Sequence, residues 1–261
     1  MKYGFIGAGN ICFAVVSGAV KGGISRNDIK AYDIDTAKTE KLSRETGAGS
    51  CTKEEILRDA QVIFFGLKPN VMPDALREYA DIILQRKDPP TIVSFAAGIS
   101  LEALSVPLPQ TPVLRVMPNL NSAIGAGISA ICANTFCDES SISDVTAFMS
   151  ATGSTIALDE RYFDIFSVLA GSSPAFAYIF IDSLARAALS LGMPKKQALE
   201  IAAHSVFGSA KMLLENGHVH PWELADRVCS PGGITIEGIR ALQEGAFEHT
   251  VMQAVIRAVK K

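Results

Sequence analysis

Two glycine-containing turns, near opposite ends of this 261-residue chain, have the residue types and spacing that bind anions. The first turn, Gly7-Ala8-Gly9, follows a short apolar run and leads into a helical pattern that begins with Asn10 and Ile11. Gly7 permits the tight turn, Gly9 lets the backbone approach a pyrophosphate, and the helix start offers amide donors and a favourable dipole. We therefore predict that Gly7, Gly9, Asn10 and Ile11 bind a dinucleotide.

An acidic pair after the second predicted strand bears on which dinucleotide is bound. Cys12 takes the third position of the G-x-G-x-x-G pattern, and Asp33 follows about 20 residues later, with Asp35 behind it. A carboxylate there accepts bonds from the ribose hydroxyls of NAD and repels the 2′-phosphate of NADP. We predict NADH in preference to NADPH, although Lys38 is placed to reach a phosphate. The alternative is that one or both aspartates cap the helix at Thr36.

The second turn, Ser230-Pro231-Gly232-Gly233, lies among helical patterns and precedes a helix that begins near Thr235. Free N–H groups at a helix start attract a carboxylate, and glycine removes the side-chain obstruction. The pattern predicts a site for a small anion. The alternative is an ordinary turn between helices, with Ser230 or Thr235 as the helix cap.

The elements that position these turns fall into two classes. Up to about residue 158, short apolar runs alternate with helical patterns, which predicts a parallel sheet covered by helices. The predicted strands are Lys2–Ile6, Ile29–Tyr32, Gln61–Leu67, Thr91–Phe95, Pro112–Met117, Gly127–Ile131 and Ser154–Leu158. The predicted helices of this part include Ile11–Val20, Thr36–Thr46, Lys53–Asp59 and Glu139–Ser150, and Thr52 with Glu55 predicts a capping box.

After residue 158 the strand patterns end, and the remaining segments predict an all-helical domain. The predicted helices there are Arg161–Leu169, Ala175–Leu191, Lys195–Glu215, Pro221–Val228, Thr235–Gln243 and Phe247–Val259. We expect a break at Gly171-Ser172-Ser173-Pro174, with Ser173 as a cap and Pro174 at the first helical position. The predicted domains are residues 1–158 and 159–261.

Three further candidates follow predicted strands at the carboxyl edge of the sheet, where cofactors lie. Lys68 and Pro69 are expected to border the nicotinamide ribose, although Lys68 also fits a solvated charge at a strand end. Ala97 and Gly98 are small enough to admit the nicotinamide ring closely. Asn119 is placed to bond the nicotinamide amide or, alternatively, to form an Asx-turn.

Composition excludes several classes of partner. Hydrophobic residues make up 48% of the chain and charged residues 20%, and the formal net charge is −3. Nucleic acids and anionic membranes need a basic surface, so we expect neither partner. The five cysteines are odd in number and contain no C-x-x-C pair, which suits a reducing cytoplasm.

The longest apolar stretch and the histidines have ordinary structural explanations. Asp182 and Arg186 interrupt the stretch from Ala175 to Leu191. A membrane span needs about 20 apolar residues with few or no charges, so a buried helix at a core or subunit interface is favoured. His218 and His220 have no ligand cluster nearby in the sequence, and we predict no metal site.

Along its whole length the chain resembles the pyrroline-5-carboxylate reductase family. The motifs that carry the resemblance are Phe5-Ile6-Gly7-Ala8-Gly9-Asn10, Leu67-Lys68-Pro69, Ser94-Phe95-Ala96-Ala97-Gly98-Ile99-Ser100, Arg115-Val116-Met117-Pro118-Asn119, Lys211-Met212-Leu213 and Ser230-Pro231-Gly232-Gly233. The resemblance implies the last step of proline biosynthesis, in which a nicotinamide cofactor reduces a cyclic imine. It also implies a Rossmann-like dinucleotide-binding domain and a helical substrate-binding domain that forms a homodimer, often within a larger ring of dimers.

The same resemblance gives the second turn its role. The amides at Gly232 and Gly233, with Ser230, would hold the substrate carboxylate, and the Thr235 hydroxyl would be the catalytic donor to the ring nitrogen. A hydroxyl is a weak acid. The alternative is therefore that Thr235 only orients an iminium that is already protonated.

Several positions depart from the family pattern. Leu120-Asn121 replaces Thr-Pro, Ser173 replaces a glycine, His204-Ser205 replaces Gln-Thr, and Cys229 replaces a threonine. These departures leave two alternatives open. One is a reductase of a different cyclic imine or keto acid, and the other is a catalytically weak paralogue that binds the dinucleotide as a regulator.

Overall fold

The computed structural model describes residues 2–260, and the strands within that range form one mixed sheet. They are β1 (Tyr3–Ile6), β2 (Ile29–Tyr32), β3 (Gly49–Ser50), β4 (Val62–Phe65), β5 (Thr91–Ser94), β6 (Val113–Met117), β7 (Gly127–Ala133) and β8 (Gly153–Ala157). Each predicted strand is present, with bounds shifted by two residues at most. The two-residue β3 was not predicted, because a pair of small residues has no periodicity to detect.

The strand order is β3-β2-β1-β4-β5-β6-β7-β8, and neighbours run parallel except for the antiparallel β6–β7 pair. Tyr3 of β1 lies opposite both Ile29 of β2 and Val62 of β4. The chain therefore runs outward from β1 to β3 and then crosses back to β4. In open α/β sheets, ligands bind outside the carboxyl ends of the strands where the order reverses in this way.

Helices connect most of these strands and make up the end of the chain. Before residue 158 they are α1 (Asn10–Lys21), α2 (Thr36–Thr46), α3 (Lys53–Asp59), α4 (Met72–Leu84), α5 (Leu101–Ser105) and α6 (Glu139–Ser150). After it they are α7 (Phe163–Phe166), α8 (Ser173–Ser190), α9 (Lys195–Glu215), α10 (Pro221–Asp226), α11 (Ile234–Glu244) and α12 (Phe247–Val259). The predicted α/β class, with a Rossmann-like first part and a helical second part, is confirmed.

Local capping explains why several helix bounds could be predicted. The Thr52 hydroxyl accepts the Glu55 N–H at 3.2 Å, and the Glu55 carboxylate accepts the Thr52 N–H at 2.8 Å, so the predicted capping box starts α3. Gly47 ends α2 in the left-handed conformation that glycine adopts without strain. Side chains two to four residues away supply these signals, so the sequence contains them in readable form.

The sheet separates two apolar layers, because successive side chains of a strand point to opposite faces. On one face the rings of Phe5 and Phe64 stack with centroids 4.6 Å apart, and Phe148 of α6 packs against both. On the other face Ile6 and Phe65 belong to a second buried cluster. β1 and β4 are buried along their whole length, as parallel strands covered on both faces are.

The described chain divides into two compact units, Met1–Gly171 and Ser172–Lys261. The second unit contains α8 to α12. Among its described residues, the hydrophobic side chains that are buried within one copy are Ala185, Ala198, Ala202 and Val219. Large apolar side chains such as Tyr178, Ile179 and Phe207 are 64–68% exposed. This unit therefore presents much apolar surface that a single copy leaves uncovered.

The break expected at Gly171-Ser172-Ser173-Pro174 is wrong. Ser167–Ser172 forms a π-helical turn, and α8 begins directly afterwards, with Pro174 in its first turn. Ser173 lies inside α8 and is not its N-cap residue. Proline is tolerated there because the first turn of a helix does not need its N–H group.

By length and composition, the helical stretch Glu160–Ser190 could cross a membrane. Its most apolar window has a mean hydropathy of 1.4, and 11% of that window is buried. Near the middle, Asp182 forms ion pairs with Arg186, at 2.5 Å, and with Lys195. Hydrogen bonds from Lys195 and then Arg186 lower the pKa of the Asp182 carboxyl, so it is charged at neutral pH.

Candidate active site

The first glycine turn has the backbone that a phosphate group requires. Gly7 has a φ of +102°, and a Cβ built on it would lie 2.6 Å from the Gly66 carbonyl oxygen, so only glycine fits. Its N–H donates to the Tyr32 carbonyl at 2.7 Å, which fixes the turn against β2. A Cβ built on Gly9, by contrast, would meet no atom within 4 Å. The backbone is therefore rigid at Gly7 and open at Gly9.

The start of α1 faces this opening without a competing side chain. Gly9 is the N-cap residue of α1, and no side chain caps the helix there. The first turn of α1, whose residues are all described, contains no acidic residue. The first amides of a helix lack intrahelical acceptors and carry partial positive charge. The turn and the helix start thus fit a pyrophosphate.

Cys12 fills the position where the third glycine of the fingerprint allows close packing between helix and strand. It is fully buried, and a Cβ built on Gly66 would lie 1.9 Å from the Cys12 sulfur. Burial, and secondarily the Asp33 carboxylate, raises the pKa of the Cys12 thiol to about 12. Cys12 is therefore a neutral packing residue at physiological pH.

Asp33 joins the second strand to the glycine turn. Its carboxylate accepts the Ala8 N–H at 2.8 Å and the Asp35 N–H at 2.9 Å, and its side chain is 11% exposed. The Lys38 ammonium lies 3.7 Å from Asp33 and 3.6 Å from Asp35. The capping alternative holds for Asp35, whose side chain accepts the Ala37 N–H at the start of α2. Asp33 instead presents a fixed negative charge beside the turn.

The other predicted cofactor residues lie at the ends of the strands next to β1. Lys68 and Pro69 follow β4 and are exposed, and the Lys68 carbonyl accepts the Val71 and Met72 N–H groups at the start of α4. Ala97 and Gly98 follow β5 in an exposed turn where Gly98 has a φ of +70°. Because β1, β4 and β5 are parallel neighbours, these residues and the glycine turn share one edge of the sheet.

Asn119 requires a correction. Its side chain is buried, its Nδ2 donates to the Ala170 carbonyl at 2.9 Å, and its Oδ1 accepts the Ile128 N–H at 3.3 Å. These partners are 51 and 9 residues away, whereas an Asx-turn bonds backbone two residues on. The amide thus bonds distant backbone groups and forms no Asx-turn, and its contact with the nicotinamide stays a prediction.

The reason lies in the π-helical turn. In an α-helix the Ala170 carbonyl would accept the N–H of residue 174, but that residue is Pro174, which has no N–H. The Asn119 amide donates to this carbonyl instead. Asn119 therefore positions the segment after β6 against the helical stretch that follows the sheet.

An ion pair next to this edge, between a buried arginine and a glutamate that is 33% exposed, was not predicted from the sequence. Arg115 of β6 is 4% exposed, and its Nη1 lies 2.9 Å from Glu160 Oε1. The guanidinium carbon lies 4.6 Å from the centre of the Phe163 ring, and the same Glu160 oxygen accepts the Leu101 N–H at 2.6 Å. An arginine within a buried apolar strand is itself a signal of a paired partner, but the sequence does not name Glu160.

The second glycine turn also shows why glycine is needed. Gly232 is exposed with a φ of +67°, and a Cβ built on Gly233 would lie 2.2 Å from the Ser230 hydroxyl oxygen. Gly233 is the N-cap residue of α11 and has no side-chain cap bond, so neither Ser230 nor Thr235 caps this helix. Thr235 is half-buried in the first turn. The amides of this turn thus remain without a capping side chain.

A doubly wound sheet with an open glycine turn at its switch point, followed by a helical unit, defines a dinucleotide-dependent oxidoreductase. Residues 2–98 match a family model described as NADP oxidoreductase, coenzyme F420-dependent, and residues 160–261 match one described as pyrroline-5-carboxylate reductase dimerisation.

Full-length relatives make the assignment specific. Pyrroline-5-carboxylate reductases from Arabidopsis thaliana and Escherichia coli are each 35% identical, over alignments that cover all of this chain and 94% and 96% of theirs. The structure of such a reductase from Coxiella burnetii superposes with a TM-score of 0.88 at 27% identity, covering 99% of this chain and 96% of that one. The chain belongs to the pyrroline-5-carboxylate reductase family, which confirms the resemblance seen in its motifs.

Proposed function

We propose that this chain reduces 1-pyrroline-5-carboxylate to proline, the last step of proline biosynthesis, in the cytoplasm. Full-length membership of the family supports this reaction. The structural observation that carries the proposal is the second glycine turn, where no side chain caps the start of α11, Gly232 is exposed, and the Gly233 N–H donates to the Ser230 carbonyl at 2.9 Å and so fixes the turn. A pyrroline carboxylate is a small anion of the kind that such a helix start binds.

Binding of the nicotinamide dinucleotide is assigned to the edge of the first unit. The amides of Gly9, Asn10 and Ile11 bind the pyrophosphate, since the turn is open at Gly9 and the helix start is free of acidic side chains, while Gly7, whose N–H is bonded to the Tyr32 carbonyl, shapes the turn that cradles it. At the neighbouring strand ends, four residues border the nicotinamide and its ribose: Lys68, Pro69, Ala97 and Gly98. When bound, the cofactor supplies a hydride.

Binding and orientation of the imine are assigned to the second turn. Ser230, Gly232 and Gly233 hold the carboxylate, and the Thr235 hydroxyl donates to the ring nitrogen. Reduction adds a hydride to the C=N carbon and leaves an electron pair on nitrogen, which requires one proton. Since a hydroxyl is a weak acid, the imine already carries that proton: the Thr235 oxygen accepts the iminium N–H and orients the ring, and the hydroxyl donates to the nitrogen lone pair that hydride addition creates.

The preference for NADH over NADPH rests on Asp33. Its carboxylate is held by two backbone N–H groups and is mostly buried, so it cannot rotate away from a 2′-phosphate without losing both bonds. Its remaining lone pairs suit the ribose hydroxyls of NADH. Lys38 offsets part of this charge from 3.7 Å away, which limits the size of the preference.

The two parts of the chain have different roles in this reaction. Residues 1–158 form the dinucleotide-binding domain, and residues 159–261 form the domain that binds the substrate and forms a homodimer, within a larger ring of dimers. The match of residues 160–261 to the dimerisation model and the exposed apolar side chains of the helical unit support the dimer. Asp182 lies on the apolar helix α8 and is paired with Arg186 of the same helix and Lys195 of α9. Charged groups within a helix disfavour its insertion into lipid, so we propose no membrane partner.

One assay tests the reaction. NADH oxidation is followed with 1-pyrroline-5-carboxylate, with a six-membered cyclic imine carboxylate and with a pyrroline carboxylated at position 2. We expect the highest kcat/KM with 1-pyrroline-5-carboxylate. A higher value with another imine would assign a different substrate, to which the Leu120-Asn121 departure after β6 would be relevant. No turnover with any of them would indicate a regulatory paralogue.

A further inference from the structure

The loop that carries Ala97 and Gly98 is fastened at its far end by a single side chain. Leu101 is the first residue of α5, and its N–H donates to Glu160 Oε1 at 2.6 Å. Glu160 lies 59 residues further along the chain, in a short 3₁₀ turn before α7. The bond therefore ties the loop after β5 to a distant segment of the same unit.

The position of Glu160 is itself fixed by a buried charge. The same Oε1 atom lies 2.9 Å from Nη1 of Arg115, whose side chain is 5% exposed. A buried guanidinium is costly unless it is paired, and in the described structure Arg115 Nε has no partner at all. Breaking the Arg115–Glu160 ion pair would therefore cost free energy, because it would leave the buried guanidinium unpaired. The Leu101 N–H thus donates to an oxygen that is also paired with a buried charge.

The surroundings connect this oxygen with the predicted nicotinamide contact. Glu160 and Arg115 line a cavity of about 490 Å³ together with Gly98 and Ser100 of the loop. The loop is open at Gly98, which has a φ of +70° and nothing within 4 Å of a built Cβ, while Ile99 and Leu101 pack against the buried cluster on one face of the sheet. Its geometry depends on where its two ends are held.

We propose that Glu160 is a positioning residue for the reductase reaction. Through the Leu101 N–H it sets the loop 97–100 at the distance from β4 and β1 that the nicotinamide ring requires, and Arg115 holds Glu160 in place. This inference rests on the proposed function, because it assigns the loop to the cofactor. Loss of the Leu101–Glu160 bond weakens dinucleotide binding without removing any group that touches the dinucleotide.

A proline substitution at position 101 tests the Leu101–Glu160 hydrogen bond. Leu101→Pro removes the N–H donor and leaves the Arg115–Glu160 pair intact. The site accepts proline, because Leu101 is the first residue of α5 and Ser100 before it has φ −71° and ψ 155°, the extended region that precedes proline. Leu101→Ala is the matched control, since it loses the same side chain and keeps the N–H.

We expect Leu101→Pro to raise the Kd of NADH about tenfold over Leu101→Ala, equivalent to about 1.4 kcal/mol. Binding is measured by NADH fluorescence without any imine, so the result is independent of whether 1-pyrroline-5-carboxylate is the substrate. Hydrogen exchange followed by mass spectrometry should show faster exchange in peptides covering 96–100 in the proline variant. Equal Kd values in the two folded variants would overturn the proposal.

A charge variant covers the case in which Leu101→Pro does not fold. Glu160→Gln keeps an oxygen for the Leu101 N–H but weakens the bond, because charged acceptors bind more strongly than neutral ones. Loss of the charge roughly halves the strength of this hydrogen bond. We therefore expect Glu160→Gln to raise the Kd of NADH about threefold to fivefold. Asp159 lines the same cavity, and Asp159→Asn makes the same change of charge. This matched control should leave the Kd of NADH unchanged. If both variants changed the Kd equally, or neither did, Glu160 would only stabilise the fold.

Discussion

Asp33 places a negative charge where the adenosine ribose of a dinucleotide would bind. Its bonds to the Ala8 and Asp35 N–H groups, at 2.8 and 2.9 Å, hold the carboxylate in one orientation. A 2′-phosphate brought to this position would meet a fixed like charge in a partly buried setting, where screening by water is weak. We therefore expect Asp33 to affect which cofactor is chosen more than the affinity for either one.

Replacing Asp33 tests this effect. We expect wild-type protein to have a lower KM for NADH than for NADPH, and Asp33→Ser to shift the ratio toward NADPH, because the repulsion is removed. Asp35→Ser is the matched control: it removes a neighbouring carboxylate that is also near Lys38, while serine can still cap α2. A tenfold preference of the wild type for NADPH would contradict the assignment, as would equal effects of the two variants.

Cys12 makes the folded protein sensitive to alkaline pH. Its thiol has a pKa of about 12 in the folded state, against an ordinary value of 9.0. Above pH 9 the unfolded chain releases this proton while the folded protein keeps it, so the contribution to stability is full below pH 9 and falls as the pH rises toward 12.

Cys12→Ala should remove this sensitivity. Alanine is a usual residue at the third fingerprint position, so we expect dinucleotide binding to persist. Urea unfolding at pH 7, 9 and 10.5 should give a smaller loss of unfolding free energy for the variant than for the wild type. Lysines and tyrosines titrate in both proteins, so the difference between the two profiles isolates Cys12. Parallel profiles would show that Cys12 does not titrate as its burial implies.

Single residues differ in how far the sequence determines their role. Gly9 and Asp35 act at the start of the helix that directly follows each of them, so their turn and cap roles follow from local rules. Asn119 could not be assigned in this way. Its partner Ala170 is 51 residues away and needs a donor only because Pro174 has none. No local pattern around Asn119 contains that information.

The start of α11 is the element on which the substrate proposal depends. Gly233→Val would push the turn away from Ser230, because a Cβ there lies 2.2 Å from its hydroxyl oxygen. We expect the imine KM to rise steeply or turnover to vanish, since losing a charge-assisted bond of about 1.5–3 kcal/mol costs roughly 10-fold to 150-fold. NADH fluorescence should be nearly unchanged. Gly238→Val, one turn further along α11 in open surroundings, is the matched control.

Thr235→Ala should behave differently from the glycine variant. The Thr235 hydroxyl is expected to bond a nitrogen whose charge changes during hydride transfer, so its loss should lower kcat more than it raises KM. Circular dichroism must first show that each variant is folded. If both folded variants keep wild-type kinetics with 1-pyrroline-5-carboxylate, this turn is only a helix start and the substrate lies elsewhere.

Whole elements were predicted better than the bonds between them. The bounds of α2, α3, α6, α9 and α12 match the predicted ranges, because periodicity and caps within each segment define them. A break was predicted at Gly171–Pro174, since Gly171 and Pro174 are common at breaks, whereas the chain continues through the π-helical turn at Ser167–Ser172 into α8. The Arg115–Glu160 pair spans 45 residues, and only the folded sheet brings its members together.

The helical unit as a whole has more apolar surface than one copy can cover. Tyr178 and Ile179 of α8 are 64% and 68% exposed, and Ile201 and Phe207 of α9 are 58% and 65% exposed. Monomeric proteins rarely leave apolar patches of this extent in water. The match of residues 160–261 to a dimerisation model identifies the partner of this surface as a second copy of the chain.

We therefore expect an obligate dimer that forms through the helical unit, and a charge within its apolar surface should dissociate it. Phe207→Glu places a carboxylate where the second copy should cover a phenyl ring, so the dimer Kd should rise by about tenfold or more. Phe136→Glu is the matched control, because Phe136 is also half-exposed, at 51%, but lies in a turn of the first unit. Sedimentation or light scattering at micromolar concentration should show monomer for the first variant and dimer for the second. A stable wild-type monomer, or dissociation by the Phe136 variant alone, would place the interface outside the helical unit.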